Sequence, residues 1–171
     1  MDTPLDLYRA SGEELMALVL REGPRRPRRD DAAVPPAFRR LVFATLAAIT
    51  AIAYLGAFVR HSKASLACST WPLCNGNVFP GFDGPEGIAF GHRLAALGGI
   101  LLIAGIWLRA RRIAARPDLG RVGAIAFGLV LLQACVGALL AWTELSFLST
   151  MAHAAVMALL FVAVAELCRR A

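Results

Sequence analysis

Strongly polar chemistry is scarce in this chain. Its 171 residues include three histidines and four cysteines, and 18% are charged against 58% hydrophobic. Four runs, Leu41 to Val59, Ile88 to Leu108, Gly123 to Trp142 and Phe147 to Leu167, hold few strongly polar side chains. Each is close to the ~20 residues that an α-helix needs to cross ~30 Å of hydrocarbon. A soluble core cannot be built from four such runs in so short a chain, and the mean hydropathy of +0.61 agrees. The expected fold is all-α: an integral membrane four-helix bundle over residues 41–168, preceded by a cytoplasmic basic leader over residues 1–40. An apolar run is missing from that leader, which argues against a secretory signal peptide.

Positive charge is nearly absent from one side of the membrane. Arg9, Arg21, Arg25, Arg26, Arg28, Arg29, Arg39 and Arg40 precede the first run, Arg109, Arg111, Arg112, Arg116 and Arg121 join the second to the third, and Arg169 and Arg170 follow the fourth. Only Arg60, Lys63 and Arg93 fall on the other face. The asymmetry predicts cytoplasmic amino and carboxyl termini. The net charge of +6 then reads as a solvated face beside anionic lipid, not as a nucleic-acid surface.

Inside the leader, Ser11-Gly-Glu-Glu14 has the form of a capping box, and Leu15, Leu18 and Val19 make an apolar stripe before Gly23. The stretch suits a short amphipathic helix on the membrane or a partner, or equally a partly ordered tail. Residues 23–37, rich in Pro and Arg, read as a linker or a lipid-facing basic segment.

Histidine is rare, so its placement carries information. His92 and His153 each stand about one turn inside an apolar run, where an unpartnered imidazole is costly. With the amino terminus inside, the second and fourth helices both run inward from the outer surface, which puts the two imidazoles at one depth. A flat macrocycle between them would be gripped from both sides. Zinc suits the pair poorly, because no third ligand is evident at that depth. The alternative is that the histidines bond backbone carbonyls in a packed interface. His61, the remaining histidine, follows the first run in the outer loop.

That loop also contains Cys68-Ser-Thr-Trp-Pro-Leu-Cys74. Placed outside, two cysteines with a proline between them could close a disulfide or, with ligands the loop does not supply, hold zinc. Cys135 and Cys168 lie at other depths and read as small apolar residues.

These residues together resemble the heme A synthase family, membrane enzymes that convert heme O to heme A for terminal oxidases. The likeness rests on Gly56-Ala-Phe-Val-Arg60, on Cys68 to Cys74 followed by Asn75-Gly76, and on His92-Arg93 with Leu94-Ala95-Ala96 and Gly98. Gln133, Gly137, Ala138 and His153 complete it, over about residues 41–168.

The resemblance implies that His92 and His153 are axial ligands of a heme b and that Cys68 and Cys74 form an outer disulfide. It also implies heme O as substrate, with heme O synthase or the oxidase assembly machinery as partners, in a bacterial or archaeal plasma membrane. The family commonly has eight helices in two similar halves, so a chain with one histidine pair is expected to form a homodimer or to join another half. One departure bears on catalysis: the family's active half has a Glu three residues before the His-Arg pair, and Ala89 stands there in this chain. Glu86 and Glu144 are the acids on the correct side that could replace it. The competing expectation is a non-catalytic heme-binding protein for electron transfer or heme delivery.

Overall fold

Proline sets where three of the four helices begin. The computed structural model describes residues 34–171, and α1 spans Pro36–His61, α2 Gly84–Ala110, α3 Pro117–Trp142 and α4 Phe147–Arg170. Pro36, Pro85 and Pro117 occupy first-turn positions, where a missing N–H costs nothing and the fixed φ favours the helix. In α4 the Ser146 hydroxyl takes over the start, accepting the Ser149 N–H at 3.3 Å. These signals lie outside the apolar runs, so each helix meets or exceeds the span expected from hydropathy alone. The linker read over residues 23–37 has already become helix by Pro36. The amphipathic stripe at residues 11–19 lies outside the described residues.

All four helices are long and apolar enough to cross a membrane, and no strand is present among the described residues. The chain is an integral membrane protein. Its helices pack in a ring, α1 on α2, α2 on α3, α3 on α4 and α4 on α1, leaving α2 and α4 on opposite corners. Glu144 and Leu145, both with positive φ, make the short reversal between α3 and α4. Leu101, Ile125, Leu159 and Val162 stay exposed on the outer helix faces, where they meet lipid.

The core is unevenly distributed. Val42 and Ile49 of α1, Ile103 and Ile106 of α2, Leu119 and Val130 of α3, and Leu160, Val164 and Leu167 of α4 are buried together in the half of the bundle that carries the carboxyl terminus. At that end Arg116, only 5% exposed, bonds both Asp118 carboxylate oxygens at 2.9 Å and the Arg170 carbonyl at 3.0 Å, pinning the α2–α3 turn to the end of α4. In the other half the helices bury only small or edge-placed hydrophobics, Val59, Ala89 and Ala138. Both intramembrane histidines are in this second half.

Candidate functional site

His92 and His153 occupy the same end of the bundle on diagonal helices, each half-buried. Each imidazole has a glycine of the preceding helix beside it. A Cβ on Gly56 of α1 would lie 3.0 Å from His92 Cε1, and one on Gly137 of α3 would lie 3.5 Å from His153 Cε1. Gly56 and Gly137 are both five residues before the last residue of their helix, so the two helix pairs repeat one arrangement.

The polar atoms around the imidazoles are incompletely matched. Gln133 Nε2 lies 3.0 Å from His153 Nε2. Which of the two groups donates follows the imidazole tautomer and the rotation of the amide. Nδ1 of His153, Nδ1 of His92 and Oε1 of Gln133 are buried without a partner among the described residues. A buried polar atom left so costs about 1–3 kcal/mol. Three such atoms in one region, in the half of the bundle where the helices bury only small or edge-placed hydrophobics, suit a further polar or metal-bearing group.

The residues fit a macrocyclic metal centre better than a bare ion. Among the described residues no group of three or more His, Cys, Asp and Glu gathers as a metal cluster, so the histidines offer a pair of neutral nitrogen donors. Two imidazoles from diagonal helices match in type and number the protein donors of a six-coordinate heme, whose remaining ligands belong to the porphyrin. His61, exposed at the end of α1, takes no part.

Above this end sits the cysteine loop. Cys68 and Cys74 are bonded to each other and fully buried, with Ala89 packed against them. Arg93 holds the loop from α2: its guanidinium donates to the carbonyls of Cys68 at 2.7 Å, Thr70 at 2.8 Å and Leu73 at 3.1 Å. Asn75 donates to the Ala67 carbonyl at 2.8 Å and to Glu86 Oε1 at 3.0 Å. The Cys68 sulfur is 3.7 Å from the Glu86 carbonyl oxygen, a contact and not a hydrogen bond, since a disulfide sulfur carries no proton. Trp71 meets Trp142 edge to face at 6.3 Å, joining the loop to the end of α3.

The acids are therefore placed unlike the histidines. Glu86 is exposed in the first turn of α2 and braces Asn75. Glu144 is exposed in the α3–α4 reversal. Ala89, where the resembled family carries a Glu, presents only a methyl group beneath the disulfide. Cys135 and Cys168 are free thiols outside the loop. Arg93, Asn75, Gly56 and Gly137 carry roles that the sequence alone does not assign. Arg93 is marked as a lone arginine inside an apolar run, whereas the glycines are marked only by the family resemblance.

Comparison with known proteins shows the family. The family model COX15-CtaA, described as cytochrome oxidase assembly protein, matches residues 13–165. A heme A synthase of Symbiobacterium thermophilum is 38% identical over 143 residues, covering 81% of this chain and 47% of its own length. The heme A synthase of Alkalihalophilus pseudofirmus is 37% identical over 128 residues, 74% of this chain and 43% of its own length. That of Geobacillus kaustophilus is 40% identical over 111 residues, 64% of this chain and 35% of its own length. The chain spans about half the length, or less, of the curated relatives it matches.

Proposed function

Because the chain belongs to the COX15-CtaA family of cytochrome oxidase assembly proteins, we propose that it acts as a heme A synthase, oxidising heme O to heme A with a heme b held by His92 and His153. The observation that carries this reading is the imidazole pair on diagonal helices at one end of the bundle, each ring set against a glycine and each with a buried, unpartnered Nδ1. A heme there supplies the one-electron iron chemistry that oxidation of a porphyrin methyl group requires. The chain's own part is ligation, orientation and shielding. Gln133 sits against His153 Nε2, and because one ring nitrogen cannot bond both an amide and iron, a heme bound through Nε2 would displace that contact. Gly56 and Gly137 leave room for both rings to lie flat against their neighbouring helices. The bonded Cys68–Cys74 loop, fixed by Arg93, covers the outer mouth.

One pair of imidazoles holds one macrocycle, so a reaction that brings a heme cofactor to a heme substrate needs a second site. A homodimer, or pairing with another half, supplies it and restores the length of the relatives. Arginines at the α2–α3 turn and at the carboxyl terminus support a cytoplasmic side for those segments, with heme O synthase or oxidase assembly factors as the expected neighbours.

Ala89 favours a second reading, a heme-b-binding protein for electron transfer or heme delivery, because no carboxylate stands beside the histidines to take a proton. Co-expression with a heme O producer, followed by pigment extraction, decides between them. Heme A or its hydroxylated precursor is expected. Bound heme b with neither product establishes the second reading and overturns the first.

A further inference from the structure

At the opposite end of the bundle, the turn between α2 and α3 forms a groove. Its walls are small and apolar, Ala110, Ala114, Gly120 and Ala124, and Arg111 and Arg121 stand on its rim. Arg121 and Ala124 share one face of α3 with Gly120, so cation and hydrocarbon line the same strip. The Arg111 guanidinium lies 5.1 Å over the Trp107 ring, and Trp107 is itself stacked on Phe127 at 5.0 Å. That aromatic pair gives one cation a fixed seat.

The charge of the groove is not balanced from within the described chain. Asp118 is taken by Arg116 and Arg170, and Glu166 by Arg169 and Arg170, while no ion pair among the described residues engages Arg111 or Arg121. Depth adds to this. α2 has 27 residues, a length of about 40 Å against ~30 Å of hydrocarbon, so its end stands among lipid headgroups. A ligand with a phosphate between two guanidinium groups and a hydrocarbon chain along the alanines matches both surfaces.

We propose that this groove is a binding site for one anionic glycerophospholipid. The phosphate pairs with Arg111 and Arg121 and an acyl chain lies against Ala114 and Ala124. The site is at the far end from the histidines, so it stands or falls independently of heme binding.

Native mass spectrometry of the full chain in detergent, titrated with phosphatidylglycerol or phosphatidylcholine, tests the proposal. Phosphatidylglycerol should be retained in preference. The Arg111→Gln/Arg121→Gln double variant should lose about fivefold in affinity per arginine, whereas Arg39→Gln/Arg40→Gln, which removes the same charge from α1, should lose much less. Ala124→Trp, which fills the apolar wall and keeps both cations, should also reduce retention. Equal losses in the two arginine pairs, equal retention of the two lipids, or undiminished binding by Ala124→Trp would overturn the site. Displacement of the lipid by millimolar inorganic phosphate would overturn the lipid assignment.

Discussion

Arg93 reaches from α2 to the Cys68 carbonyl at 2.7 Å, so the residue next to one histidine anchors the disulfide loop that lies above it. The same guanidinium bonds the Thr70 and Leu73 carbonyls, and a planar fork is needed to serve all three. Loss of this anchor by Arg93→Gln should leave the disulfide intact while loosening the loop. Hydrogen exchange over residues 66–77 should accelerate, and stability should fall by about 1.5–3 kcal/mol, the range for hydrogen bonds to a charged group. Arg93→Lys should recover only part of the protection. Non-reducing peptide mapping of each variant should still find Cys68 joined to Cys74, with Cys135 and Cys168 free.

Ligation makes a separate prediction. Purified protein with heme should give a low-spin, six-coordinate spectrum, and His92→Ala or His153→Ala should each abolish it by removing one axial bond. Retention of that spectrum in both variants would place the heme elsewhere.

The two glycines should respond unequally. A Cβ on Gly56 meets His92 Cε1 at 3.0 Å, closer than ordinary contact, whereas one on Gly137 meets His153 Cε1 at 3.5 Å, an ordinary van der Waals distance. Gly137→Ala should therefore keep the low-spin spectrum nearly unchanged. Gly56→Val should displace the His92 ring and lower heme content per chain severalfold, read by pyridine hemochrome against protein concentration.

A third glycine is structural. A Cβ on Gly87 would overlap the backbone carbonyl of Phe82, which folds back over the first turn of α2. Because backbone cannot move aside as a side-chain tip can, Gly87→Ala should cost about 1–3 kcal/mol or more and lower the melting temperature. The Phe79, Phe82 and Phe90 rings that gather there should lose their fixed packing in the same variant, seen as reduced near-ultraviolet dichroism.

At the other end, Asp118→Asn should be severe. Arg116 is buried against both Asp118 oxygens, and removing the carboxylate leaves its charge inside the turn facing Arg170. A loss of about 3–5 kcal/mol is expected. Replacing the partly exposed Glu166 by Gln should change the melting temperature far less, since ion pairs open to solvent contribute little.

Hydropathy was sufficient for the four spans because the demand for satisfied backbone groups in lipid permits few structures. It was less informative about their ends. Pro36, Pro85 and Pro117 begin helices several residues before the apolar runs, in sequence too polar or too short to register as span. The level of His92 and His153 followed from helix direction, which depends only on counting crossings. Their surroundings did not follow. Gly56 and Gly137 act through lacking a side chain, which leaves no periodicity to read. Arg93 acts through carbonyls about twenty residues away, and any residue could supply those. Glu86 was legible as an acid near the site but not as the brace of Asn75, because that contact depends on how the loop folds back.

The repeated setting of the two histidines has one broken element. Superposing Gly56 on Gly137 by helix position puts Ile52 where Gln133 stands, so the first helix pair offers a butyl group and the second an amide. Ile52 packs toward Gly99 in the core, so only His153 has a hydrogen-bonding neighbour at this helix position. The two halves of the site are chemically unlike, and a disc with one polar substituent would find an amide to bond at the His153 end alone.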